Sequence, residues 1–310
     1  MKEGKASFPW RKSLGLSTLT VLILLLILVF IDFRYWNTSA DLESLFRKMA
    51  RTEEILSRMR INLLKSAEIE KAAVMADTDD LSRSLAVQSS QLADSVERDR
   101  RELDGIVEQD TKGQQRKYLN EFDGCWTELR KIDKVLLGFA VENTNLKAAS
   151  LAFSQGSRAM ERLERSLTAI IDNAPQTSQG NQILRLANSA LTAGFKVLYL
   201  QSPHIMAASD AAMDKMELEI RRFDELVKQS LEKLVDLIPE EDRVFVDDAV
   251  SAHADFERIT TEVIRLSREN TNIKSFELSL GRKRKIAVQC DEILGAFQAA
   301  IHARTFEATR

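Results

Sequence analysis

"VENTNLK" at residues 141–147 returns 127 residues later as "RENTNIK" at residues 268–274. What precedes each copy decides whether the echo is accident or architecture. Ahead of the first, Tyr118, Phe122, Cys125, Leu129, Ile132, Leu136 and Phe139 recur at alternating steps of three and four, the seam of a helix packed nearly parallel to its neighbours. Adding the same offset gives Phe245, Ala249, Ala252, Phe256, Ile259, Val263 and Leu266, an equally apolar seam although few intervening residues are identical. A tetrapeptide repeated in register with a whole seam predicts an internal duplication.

Asn143 and Asn270 fall where each seam would place its next apolar residue. Asn and Thr bond readily to nearby backbone, so "ENTN" reads best as a tight turn between antiparallel helices, with fourth helices near 146–172 and 273–303. The other reading is one continuous helix with a polar layer, since a single core Asn is a known way to fix register.

The remaining helices follow from the same pattern. Leu42, Leu45, Met49, Thr52, Leu56, Met59 and Leu63 form a first heptad seam, and "ADTDD" at 76–80 offers Thr78 as the cap of a second helix running to about residue 110. "DNAPQTSQGNQ" at 172–182 gathers Pro, Gly, Asn, Ser and Thr and predicts a domain boundary. Helices over 183–206 and 209–237 follow, the latter capped by Ser209, and Pro239 in "IPEED" can start the next.

Four Pro and eleven Gly in 310 residues, with 44% hydrophobic and 29% charged content, favour long helices over sheets. The net charge of −3 leaves no strongly basic face, so no nucleic acid is expected as a partner. Cys125 and Cys290 lack metal-ligand spacing and read by default as packed thiols, with one disulfide as the alternative.

Between Lys12 and Asp32 lies "SLGLSTLTVLILLLILVFI", uncharged and about 28 Å long as a helix, close to a hydrocarbon core of about 30 Å. Lys2, Lys5, Arg11 and Lys12 precede it, while Trp10, Tyr35 and Trp36 stand where interfacial aromatics belong. The alternative, a cleaved signal peptide, has a shorter apolar run and a nearer small-residue site than "TSA" at 38–40. The expectation is a single-pass protein of the inner (cytoplasmic) membrane, its amino terminus cytoplasmic and its bulk periplasmic or otherwise extracytoplasmic.

The predicted fold is therefore all-α, an N-terminal transmembrane helix followed by two antiparallel four-helix bundles. Its parts are a basic N-terminus at 1–12, a span at 13–31, a first bundle at 37–172, a linker at 173–182 and a second bundle at 183–306.

This arrangement resembles the extracytoplasmic four-helix-bundle sensor domains of methyl-accepting chemotaxis receptors. The likeness rests on the basic terminus, one membrane helix and antiparallel helices. It rests also on a third helix with a central aromatic ("FDGCWTELRKID", "AHADFERITTEV") and a polar turn followed by "NLKAASLAF" or "NIKSFELSL". Such receptors continue into a second membrane helix and a cytoplasmic signalling hairpin, whereas this sequence stops at Arg310. The resemblance implies a sensory, ligand-binding ectodomain without its own output, its two bundles packed as a covalent version of the family's dimer. A homodimer or association with another receptor is implied as well.

The ligand implied is a small organic anion or amino-acid-like molecule held between helices at the membrane-distal end. Asn143, Thr144, Asn145 and Lys147, with Asn270, Thr271, Asn272 and Lys274, could supply donors and a cation there, although capping and turning alone also account for these residue types. His204, His253 and His302 share no ligand spacing, and no nucleophile–base set or phosphate loop appears, so neither a cofactor, a metal nor catalysis is expected. "GRKRK" at 281–285 reads as a solvated helix face. The competing function is a structural or partner-docking module of the cell envelope, or a fragment of a longer receptor.

Overall fold

A computed structural model describes residues 10–108 and 113–308, and the side chains of 25–30, 43–108, 113–304 and 306. Every regular element among the described residues is helical: α1 (Trp10–Val74), α2 (Asp79–Val107), α3 (Gln114–Glu142), α4 (Thr144–Leu151), α5 (Ser157–Asp172), α6 (Ser178–Met206), α7 (Asp210–Leu237), α8 (Arg243–Glu269), α9 (Thr271–Leu278) and α10 (Arg284–Ala308). Single π-helical turns, Ala152–Gly156 and Ser279–Lys283, join α4 to α5 and α9 to α10. The starts of α2, α6 and α7 are capped by Thr78, Thr177 and Ser209, whose hydroxyls accept from the amides of Leu81, Gly180 and Ala212. The expected boundary at 173–182 shrinks to residues 173–177, because Thr177 caps α6 five residues earlier than the Gly and Asn content suggested.

The candidate span at 13–31 belongs to α1. Its described side chains are Leu25, Leu26, Ile27, Leu28, Val29 and Phe30, all exposed; those of 13–24 and 31 lie outside the described residues, as does Leu42 of the first seam. Among the described residues no helix is long and apolar enough to cross a membrane.

The chain divides into two compact units. The first gathers Met1–Ile61, Val96–Glu121 and Glu292–Arg310. Its core holds Met49, Ile55, Leu56, Met59, Val96, Leu103, Leu119, Leu294 and Phe297, with Tyr118 stacked on Phe297 at 5.5 Å. On its surface Arg51 reaches Glu102 at 2.5 Å and Arg58 reaches Asp99 at 2.8 Å.

The second unit comprises Asn62–Ser95 and Phe122–Asp291. Its larger core packs α5 against α6 and α8, around Leu163, Leu167, Ile183, Val197, Phe256 and Val263. A smaller core holds Ala73, Val74, Ala86, Leu136, Leu137 and Ala140, with Leu278 of α9 against it.

The duplication survives at the level of burial. Tyr118 and Phe245 are both half-buried, as are Phe139 and Leu266, and the five intervening pairs of the two seams are buried in both copies.

Which helices pack together differs from the sequence partition. Residues 144–172, assigned to the first bundle, pack on the helices of the second: Arg162 pairs with Asp255 at 3.0 Å and Ser166 donates to Asp248 at 2.8 Å. Conversely, Lys283 reaches Glu70 and Asp133, and Cys290 is joined to Cys125. Partner pairs run 125/290, 133/283, 144/271, 162/255 and 166/248, one number falling in step as the other rises. That progression describes two antiparallel helical rods passing each other once. It corrects the expected tight turn at "ENTN", and the fourth helices are exchanged between the two halves that sequence defined. The physical reason is local. Asn143 and Asn270 each adopt a left-handed conformation, with φ of 50° and 56°, and the helix resumes at the next residue. Lys147 N–H then bonds Asn143 C=O and Lys274 N–H bonds Asn270 C=O, both at 3.0 Å, so the chain never reverses.

Candidate functional site

The eight polar residues singled out from sequence do meet, within the second unit, but they meet one another. Thr144 N–H donates to Thr271 Oγ1 and Thr271 N–H donates to Thr144 Oγ1, both at 3.1 Å. Asn145 N–H donates to Asn272 Oδ1 at 3.1 Å and the reverse bond is 3.2 Å. Asn145 Nδ2 then donates to Asn270 Oδ1, and Asn272 Nδ2 to Asn143 Oδ1, at 2.7 and 2.9 Å. The amides that a helix start leaves without partners are thus satisfied by the opposite copy. Lys147 and Lys274 turn back onto the carbonyls of Glu142 and Glu269 at 2.7 and 2.8 Å, favourable places for a cation at helix C-termini. These groups are taken up by the structure itself.

One turn further on, the two copies diverge in chemistry at matching positions. Ser279–Lys283 is the π-helical turn of the second copy and Ala152–Gly156 that of the first, offset by the same 127 residues. Such turns often sit at functional places. Lys283, 2% exposed, places Nζ 2.7 Å from Glu70 Oε2 and 2.8 Å from Asp133 Oδ1. The contact to Asp133 is an ion pair outside hydrogen-bond geometry, and Glu70 Oε1 has no hydrogen-bond partner. At the corresponding places stand Gly156, Gln201 and Thr260: a buried charged triad in one setting, a glycine and two neutral polar residues in the other.

A cavity of about 400 Å³ opens beside this neutral layer. Ala149, Ala152, Phe153, Leu198, Ile205 and Met206 give it apolar walls, and Ser157, Gln201 and Ser202 give it polar ones. Gln201 is 1% exposed, and its Oε1 accepts no hydrogen bond. The matching space beside Lys283 is smaller, about 190 Å³, and is lined by Glu70, Lys71, Arg284 and Asp291 among others. Sequence reasoning missed Gln201 and Gly156. The available signal was the offset itself, which sets Gly156 opposite the middle of "GRKRK".

Two histidines are built into ionic clusters. His204, fully buried, lies 2.9 Å from Ser267 Oγ and 3.1 Å from Glu217, which also accepts from Arg268 at 2.6 Å. Burial pushes the Glu217 carboxyl up, but the bonds from Arg268 and His204 outweigh it and leave the group below its ordinary value. Asp224, His253 and Glu257 converge as a metal site would, yet the Lys228 ammonium sits 3.0 Å from Asp224 and 2.7 Å from Glu257. The protein's own cation occupies the charge role there. For Asp224 burial again pushes upward, and the bonds from His253 and Lys228 win and hold it low. His302 pairs with Glu53 at the surface of the first unit.

Cys125 and Cys290 form a disulfide with Cα atoms 5.8 Å apart, which replaces the default reading of two packed thiols.

No family model, curated protein or solved structure matches the chain.

Proposed function

We propose that the chain is a membrane-anchored, extracytoplasmic sensory module whose two antiparallel four-helix bundles bind a small molecule, related in kind to chemoreceptor sensor domains. The observation that carries the ligand-binding part is the cavity beside α4, α5 and α6, with a buried acceptor on Gln201 that has no donor within the protein. A pocket of that size with few, localised polar groups has the character of a small-molecule site. The extracytoplasmic placement is supported by the Cys125–Cys290 disulfide, since such bonds persist in oxidising compartments. Anchoring is supported by the uncharged run between Lys12 and Asp32, whose described members Leu25 to Phe30 all lie exposed.

The eight "ENTN" residues take no part in this reading, because their polar atoms bond one another. That same observation favours the second reading, a structural or partner-docking envelope module in which the crossing of the rods is the purpose of the motif. A melting-temperature screen of the full chain in lipid nanodiscs separates them. A molecule that binds the native state raises the melting temperature. Organic acids, amino acids, amines, alcohols and amides would form the panel, and no shift with any class would sink the ligand-binding reading and leave the structural one.

A further inference from the structure

We infer that the cavity beside Gln201 takes a neutral, mainly apolar small molecule bearing one hydroxyl or amide N–H, which it donates to Gln201 Oε1. This rests on the ligand-binding reading above and narrows it to a chemical class.

The orientation of the Gln201 amide is settled by its neighbour. Thr260 has one hydroxyl proton, and it goes to the carbonyl of Phe256 at 2.8 Å. Thr260 Oγ1 therefore accepts from Gln201 Nε2, also at 2.8 Å, which leaves Oε1 as the outstanding group. A Cβ on Gly156 would stand 3.6 Å from that oxygen. In the other copy the residue at this position is Lys283, and its ammonium fills the corresponding place against Glu70. Replacing lysine by glycine removes the internal donor and, with Gln201 for Glu70 and Thr260 for Asp133, removes the charge as well. What remains is an acceptor awaiting a neutral donor.

The walls select the rest of the guest. No charged side chain lines this cavity. A carboxylate would face the lone pairs of Oε1 without a cation, and an ammonium would lose its hydration against neutral acceptors; both are unfavourable in a largely apolar space. Phe153 and Met206 are 84% and 75% exposed and stand at the mouth, free to close over an apolar body.

The test uses the full chain in lipid nanodiscs with three isosteric probes: 2-phenylethanol, its methyl ether and phenylacetate. Calorimetric titration should show the alcohol binding at least roughly tenfold more tightly than either of the others, the scale of one hydrogen bond to a buried acceptor. Gln201→Leu should erase the difference between alcohol and ether. Gly156→Ala, whose added methyl meets its neighbours at ordinary contact distance, should keep its fold and weaken the alcohol. Equal binding of alcohol and ether to the unmodified chain, or tighter binding of phenylacetate, overturns this proposal while ligand binding itself stands. If none of the three binds, the proposal is overturned too, and the broader screen decides the fate of the reading beneath it.

Discussion

Thr144 and Thr271 hold each other's backbone: each gives its amide proton to the other's hydroxyl at 3.1 Å, and the two hydroxyl oxygens lie 3.2 Å apart. Both residues are nearly inaccessible, so removing one hydroxyl strands a buried amide on the opposite helix. Thr144→Ala and Thr271→Ala should each cost about 1–3 kcal/mol. Because the hydroxyls share a contact, the double variant should cost less than the sum, with a coupling of at least about 0.5 kcal/mol. Urea denaturation of the four proteins measures this, and strict additivity would mean the two bonds are independent.

The Lys283 triad should be intolerant of partial removal. Lys283→Met leaves Glu70 and Asp133 buried without their cation, a loss of about 3–5 kcal/mol by analogy with broken buried pairs. The triple change Lys283→Gly, Glu70→Gln, Asp133→Thr installs the constellation found at Gly156, Gln201 and Thr260. It should recover most of that loss and widen the smaller cavity. Chemical denaturation of both variants distinguishes a charge requirement from a shape requirement.

That comparison also shows what could be read before the structure. Seams such as Phe122 to Leu136 and Ala249 to Val263 were legible because periodicity reports which face is buried, and the caps Thr78 and Ser209 because their chemistry is local. The partner of each seam was not legible. An antiparallel helix presents the same apolar face whether α5 packs on α3 or on α8, so patterning leaves connectivity open. Asn143 was ambiguous for a related reason: a left-handed residue serves a turn and a one-residue break in a rod equally well, and only the far side, Thr271, decides. The cavity had no local signal, since it arises from the difference between Gly156 and Lys283.

The disulfide closes a loop between residues 165 apart in sequence, so its contribution through the unfolded chain should be large, about 5 kcal/mol in the loop-entropy view. The corresponding residues of the other copy are Ala252 and Leu163, both buried and apolar. Cys125→Ala with Cys290→Leu should therefore keep full helical content by circular dichroism. Its denaturation midpoint should fall to that of the reduced unmodified protein and no longer respond to reductant. A variant still sensitive to reductant would contradict the pairing.

Acid should loosen the second unit through Glu217 and Asp224. Each carboxyl sits below its ordinary value, 4.5 for Glu217 and 3.8 for Asp224, because hydrogen bonds from Arg268 and His204, or from His253 and Lys228, outweigh the upward push of burial. The unfolded chain then binds protons more readily than the native one. Their stabilisation is complete above those ordinary values and disappears as pH falls through the lower native ones. Stability should thus hold from pH 7 to about pH 5 and decline steeply below about pH 4. Glu217→Gln and Asp224→Asn should each lower stability at pH 7 and flatten the acid limb, because an amide no longer responds to protons while the buried donors around it lose a charged acceptor. Urea midpoints at pH 7 and pH 3.5 give the comparison; an acid limb as steep in the double variant as in the unmodified chain would place the sensitivity elsewhere, among carboxylates such as Glu70 and Asp133.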